Sequence, residues 1–164
     1  MNDHKFKFLY KTFQALDLQE LYEAMALRQE VFVIEQNCPY LDADGKDQQS
    51  DHLLVYAENG DLAAYLRIVY AGVSYEEISI GRVVTAQKYR GIGLGKLLMR
   101  KGLLEVQNRF GNVPIHISAQ CYLTKFYEDF GFEIVGESYL EDDIPHIGMI
   151  CLLYTSPSPR DEQS

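Results

Sequence analysis

A short run, Arg90-Gly91-Ile92-Gly93-Leu94-Gly95, separates residues 77–85, which have strand character, from a helical pattern that starts after Gly93. No other feature constrains the chain as much. Glycines at alternate positions let backbone N–H groups come close to an anion, and the start of the following helix adds partial positive charge. Arg90 and Lys96 bring cationic side chains to either end. A strand running through such a loop into a helix is an α/β unit suited to a phosphate-bearing ligand. Two familiar nucleotide loops do not fit. A Walker A loop needs glycine at the position of Arg90 and Ser or Thr at that of Leu97. A dinucleotide fingerprint needs glycine at the position of Lys96. Taken alone, the loop is also compatible with an ordinary strand-to-helix turn.

The rest of the chain predicts what surrounds this junction. Residues 5–12 alternate, with Phe6, Phe8 and Tyr10 on one side of an opening strand. Asp17 followed by Glu20 predicts an N-cap with a capping box. Leu18, Leu21, Tyr22, Met25 and Phe32 recur at helical spacing and are expected to form the buried face of a first helix. Residues 41–50 are polar and turn-rich, a loop. Strands are expected over 52–57, 62–69 and 77–85, the first two joined through the hairpin signal Asn59-Gly60. In the helix after Gly93, Leu94, Leu97, Leu98 and Leu104 share one face, while Met99, Leu103 and Val106 lie elsewhere, so the helix is expected to be covered on more than one side; Gly111 ends it. Residues 114–120 form a strand with Ile115, Ile117 and Ala119 on one side and His116, Ser118 and Gln120 on the other. A short helix over 123–130 stops at Gly131, with Phe132 as its hydrophobic partner. A hairpin of 133–139 and 146–150 around Glu141-Asp142-Asp143 closes the domain. This order predicts an α/β (α+β) domain with a mixed sheet.

Composition bounds the function classes. A chain of 164 residues with 47% hydrophobic content fits one globular domain. No run approaches the ~20 apolar residues of a membrane span, and the N-terminus has no signal-like apolar region, so the expected location is the cytoplasm. Cys38, Cys121 and Cys151 show no CxxC spacing, which argues against a disulfide framework or a metal site and for small buried hydrophobes. A formal charge of -9 argues against nucleic acid and mildly favours an amine-bearing partner. The domain is expected to occupy residues 1–150. From Cys151 to Asp161 the sequence CLLYTSPSPRD resembles a translated transposon-type sequencing adapter, so residues 151–164 are expected to be a disordered library scar, the alternative being an ordinary Pro/Ser-rich tail.

Joined to its flanks, the glycine loop resembles motif A of the GNAT superfamily of N-acetyltransferases. The resemblance lies in residues 81–98, where the family pattern Gln/Arg-x-x-Gly-x-Gly/Ala is met by Arg90, Gly93 and Gly95. Lys125-Phe126-Tyr127-Glu128-Asp129-Phe130-Gly131-Phe132 resembles the family's second signature, an aromatic Phe-Tyr pair on a short helix ending in Gly-Phe. A finer likeness to the ElaA-like branch lies in residues 25–36, Cys38-Pro39-Tyr40, Asp42-x-Asp44, Asp51-His52 and Ile144-Pro145-His146-Ile147, with Asp143 where a glycine is more usual. The likeness spans residues 5–150 without large gaps.

The resemblance implies a mixed sheet flanked by helices, with a V-shaped gap for CoA where the strands near Val83–Thr85 and 117–120 splay apart. It implies an acetyl-CoA-dependent N-acetyltransferase in which an amine of a small molecule or protein attacks directly in a ternary complex. The backbone of Val83, Val84 and Thr85 would hold the pantetheine arm. Arg90, Gly91, Ile92, Gly93, Leu94, Gly95 and Lys96 would hold the pyrophosphate. Tyr127 matches the family's general acid toward the CoA sulfur. Glu77, His116 and His146 stand as candidates for the base. Arg28, Glu35 and Gln36 are candidates for the acceptor side, although Arg28 equally reads as a surface ion pair. A homodimer is compatible with this class, and no metal is implied. The alternatives are a non-catalytic CoA-binding regulatory module and an acyltransferase with a different acyl donor.

Overall fold

Strand and helix propensities resolve into seven strands and three α-helices among residues 5–152, the part of the chain that the computed structural model describes. In order these are β1 (Phe6–Thr12), α1 (Leu18–Arg28), β2 (Ser50–Ala57), β3 (Leu62–Val69), β4 (Ser79–Thr85), α2 (Leu94–Phe110), β5 (Pro114–Gln120), α3 (Thr124–Glu128), β6 (Glu133–Glu141) and β7 (Ile144–Leu152). Strands β1 to β4 form an antiparallel meander, and β5, β7 and β6 form a second antiparallel sheet in that order. The two sheets meet at a parallel bridge between Ile78 and Ile115, where the His116 N–H donates to the Ile78 carbonyl at 2.9 Å. Past that bridge β4 and β5 have no ladder between them. The result is the expected mixed sheet opening into a V.

The central strands β2 and β3 are covered on both faces, hence their near-continuous burial from Leu53 to Val55 and from Ala63 to Val69. On one face Leu94, Leu98, Met99 and Val106 of α2 pack with Leu53, Val55, Leu66 and Ile68. On the other, Ala24, Leu27 and Val31 meet Leu54, Tyr65 and Val84. The capping box at Asp17 and Glu20 forms as expected, at 2.7 and 2.9 Å.

The predicted buried face of the first helix needs correction. Leu18 and Tyr22 of α1 are exposed, and its inward face is Ala24, Leu27 and Arg28, continued by Val31. Both sets obey helical spacing; counting apolar residues favoured the bulkier one, whereas close packing selected the small Ala24 and a fully paired arginine. On α2, Leu104 is half-exposed, while Met99 and Val106 lie at the centre of the core.

One glycine in α2 is needed for its closeness to the sheet. A Cβ at Gly102 would stand 2.9 Å from Leu66 Cδ2, inside a fully buried contact. Gly102→Leu should therefore destabilise the domain by about 1–3 kcal/mol, the usual range for overpacking. The check is urea denaturation, and an unchanged midpoint would mean that the helix can stand off without cost.

The boundary expected after Ile150 falls inside β7. That strand continues to Leu152, with Cys151 opposite Ile115 and buried in the core. The rest of the segment read as a scar, residues 153–164, lies outside the described residues. No helix among the described residues is long and apolar enough to cross a membrane.

Candidate active site

The V between β4 and β5 is the mouth of a cleft of about 880 Å³, within the usual size of small-ligand sites. One wall is β4, the last strand of its sheet, so its outer edge faces the gap. In its pairing with β3, Tyr65 stands opposite Val84 and Arg67 opposite Gly81, so Leu66 faces both Arg82 and Val83. Two residues against one is a β-bulge, and Arg82 takes a positive φ of 51° to make it. The bulge takes the backbone at Arg82 and Val83 out of the ladder just where the wall meets the cleft. Val83, Val84 and Thr85 all line it.

The glycine loop follows at the end of this wall. Gly91 and Gly93 adopt φ of 81° and 86°, a left-handed conformation that side chains disfavour, and Gly93 is the N-cap of α2. A Cβ at Gly95 would lie 3.7 Å from Thr85 Oγ1, so the first turn of α2 sits close against the end of β4. The free N–H groups of a 17-residue helix therefore open toward the cleft. Gly91, Gly93, Leu94 and Gly95 line it, whereas Ile92 and Lys96 do not.

Tyr127 forms part of the floor. Helix α3 places it in the core, 8% exposed, with its ring edge-on to Phe126 and Phe132. The turn that holds it is the predicted one: Gly131 has φ of 94° and the Phe132 N–H donates back to the Tyr127 carbonyl. Burial pushes the phenol pKa upward, so the group stays protonated through the neutral range. Its hydroxyl has no hydrogen-bond partner among the described residues, and it borders the cleft.

The opposite wall comes from the second sheet and from the segment after α1. That helix runs on into a π-helical turn, Gln29–Glu35, with the Gln36 N–H donating to Val31 and the Cys38 N–H to Val33. Wide turns of this kind are rare and concentrate at functional sites. Glu35 ends the turn and forms a bidentate pair with Arg90, at 2.6 and 2.9 Å. On β7, His146 is 7% exposed, and its Nδ1 lies 2.7 Å from the Ile144 carbonyl. A carbonyl can only accept, so Nδ1 carries the proton and Nε2 of the neutral ring is an acceptor. Glu141 Oε2 stands 3.9 Å from that Nε2. Ser118 of β5 donates to Glu141 at 3.1 Å and pairs with the Tyr139 hydroxyl.

Comparison with known proteins identifies this arrangement. The model of the acetyltransferase (GNAT) domain family matches residues 10–153. The chain belongs to the GNAT acetyltransferase family. It falls in the ElaA-like branch: it is 43% identical to ElaA of Escherichia coli over 136 residues, 82% of this chain and 88% of that protein. It is 42% identical to a UPF0039 protein of Synechocystis over 141 residues, 86% and 92% of the two chains. The crystal structure of an acyl-CoA N-acyltransferase from Pseudomonas aeruginosa superposes with a TM-score of 0.85 at 42% identity, covering 89% of this chain and 99% of that one. The structure of E. coli ElaA gives 0.83 at 38% identity, with the same coverage. Members of the GNAT family take an acyl-CoA as co-substrate.

Within this GNAT protein the sequence-predicted residues divide. Of the base candidates, only His146 lines the cleft. His116 and Glu77 pair with each other at 3.1 Å by the Ile78–Ile115 bridge, the closed end of the V, with Tyr75 stacked on the imidazole at 3.7 Å. The hydrogen bond from His116 lowers the Glu77 pKa, which weakens this carboxylate as a proton acceptor. Glu35 and Gln36 do border the cleft.

Arg28 does not. It is 1% exposed, its Nε donates to Asp42 at 2.8 Å and its Nη1 to Asp47 at 2.7 Å, so it is neither an acceptor ligand nor a surface pair. It belongs to a buried network in which Arg67 holds Asp44 and Asp47, and Arg82 holds Asp42 and Asp44. This network clamps the loop after the π turn onto β3 and onto the bulge of β4. Asp42-x-Asp44 is visible in the sequence, but its arginine partners are 14 to 40 residues away. Ser118, Tyr139 and Glu141 are likewise brought to the site by the fold. Only Ser118 left a signal, by alternating with His116 and Gln120 on the outward face of β5.

Proposed function

We propose that this protein transfers the acetyl group of acetyl-CoA to a primary amine of a small molecule or protein, by direct attack in a ternary complex. The observation that carries this reading is the junction of the bulged β4 edge with the glycine loop at the N-terminus of α2. Backbone groups there suit an extended amide-bearing arm and a pyrophosphate in sequence. Val83 to Thr85 would pair with the pantetheine arm as an added strand. An amide freed by the bulge would polarise the thioester carbonyl.

The amine attacks the carbonyl carbon and the C–S bond breaks. In our reading His146 Nε2 accepts the proton lost by the amine, and the Tyr127 hydroxyl donates a proton to the departing sulfur. Solvent restores both groups.

Thiol release from acetyl-CoA, followed across a panel of primary amines, tests the reading. Turnover with at least one amine is expected. Binding of acetyl-CoA without turnover of any amine would favour a non-catalytic CoA-binding module instead. The loop can be tested separately. Gly93→Val puts a branched side chain at a left-handed N-cap, a strain of roughly 1–2 kcal/mol, and also obstructs the approach to the amides. Calorimetric titration should show CoA affinity falling about tenfold or more. Undiminished affinity would remove the loop from the binding site.

A further inference from the structure

A charge clamp spans the cleft from the donor loop to the acceptor wall. Arg90 heads the glycine loop. Its Nε donates to the Thr85 carbonyl at 3.0 Å, and Nη1 and Nη2 both turn to Glu35. Glu35 comes from the far side, at the end of the π turn, and Arg90 is its hydrogen-bond partner. Both side chains line the cleft, and they are 38% and 41% exposed. A pair this open to water adds little to folding and is readily exchanged for a better partner. The segment that carries Glu35 is anchored independently, since Gln120 of β5 donates to Gln36 at 3.4 Å. Loss of the clamp therefore requires a side-chain rotation and no shift of the π turn.

Resting on the acetyl-CoA reading above, we propose that Glu35 and the CoA pyrophosphate compete for the Arg90 guanidinium. A multiply charged pyrophosphate on the amides of Gly91 to Gly95 offers Arg90 a stronger bidentate acceptor than one carboxylate. The same charge repels Glu35 at short range. Donor binding thus swings Glu35 away from Arg90 and leaves an unpaired carboxylate on the acceptor side. There it adds to the negative rim formed by Glu141 and Asp142 of the β6–β7 hairpin, which also border the cleft. The acceptor this favours is a cationic amine that binds after the donor. Glu35 sets donor affinity by opposing it and couples the two substrates.

Calorimetric titration of coenzyme A, at one fixed ionic strength, tests this with the wild type, Glu35→Gln, Arg90→Gln and the double variant. Glu35→Gln should bind CoA about three- to tenfold more tightly than the wild type, since no clamp has to open. Arg90→Gln should bind more weakly, and adding Glu35→Gln to it should recover much less than in the wild-type background. Equal or weaker binding by Glu35→Gln would overturn the proposal and make Glu35 a support that orients Arg90. Absence of CoA binding by all four proteins would overturn the CoA reading itself, and the competition with it. Unfolding midpoints should match across the set, because the pair is exposed.

Discussion

Replacing Tyr127 by Phe should lower turnover by about a hundredfold or more, the usual contribution of a positioned general acid, while CoA affinity stays nearly unchanged. The substitution removes one oxygen and leaves the ring in place, edge-on to Phe126 at 5.1 Å and to Phe132 at 5.9 Å. The lost hydroxyl has no protein partner among the described residues, so no buried group is left unsatisfied and stability should hold. A fall in kcat with constant affinity is the mark of an interaction made only in the transition state. The measurement pairs steady-state thiol release, using the best amine of the panel, with calorimetric titration of CoA. Unchanged kcat would end the case for Tyr127 as the acid and leave it as a core tyrosine at the edge of the cleft.

The second large effect concerns stability. Arg28→Met should destabilise the protein by about 3 kcal/mol or more, because Asp42 and Asp47 stay buried with one cation fewer. For a chain of this size that corresponds to a fall in melting temperature of roughly 6–12 °C. Lys125→Met, which removes the exposed pair with Asp129, is the control and should leave the melting temperature where it is. A matching small shift in Arg28→Met would show that the network collapses onto water or re-pairs through Arg67 and Arg82. The network also has a pH signature. Burial acts to raise the carboxyl pKa values of Asp44 and Asp47, but the hydrogen bonds and charges of Arg67 and Arg28 outweigh it, and both are held below the usual range. Carboxyls depressed in the folded state stabilise it fully above their unfolded value, about pH 4, and this contribution is lost as pH falls through the lower native values.

Much of the glycine loop and its flanks could be read from residue order alone. Local chemistry settles it: glycines adopt left-handed φ whatever lies around them, and a helix N-terminus presents free amides wherever it occurs. The capping box at Asp17 and the Gly131 stop behind Tyr127 were legible for the same reason, since each is complete within six residues. The candidate bases were less tractable. Glu77, His116 and His146 differ little in their sequence surroundings. What separates them is the parallel bridge at Ile78 and Ile115, which holds the first two at the closed end of the V, and the Ile144 carbonyl, which fixes the tautomer of the third. The inward face of α1 is not legible because helical periodicity admits several stripes, and only the sheet beneath decides between bulky Leu18 and small Ala24.

The sequence by itself determined the order of elements, the glycine-rich loop at the start of α2, the tyrosine on its short helix and the family to which these belong. All depend on contacts made within a few residues. Tertiary structure alone decided that Arg28 is an internal counter-ion and that Arg90 is clamped by Glu35 across the cleft. It also decided that Ser118, Tyr139, Glu141 and His146 meet on one wall. Charges and acid–base groups act through distance and burial, and these arise only when segments 55 residues and more apart in the chain are brought together.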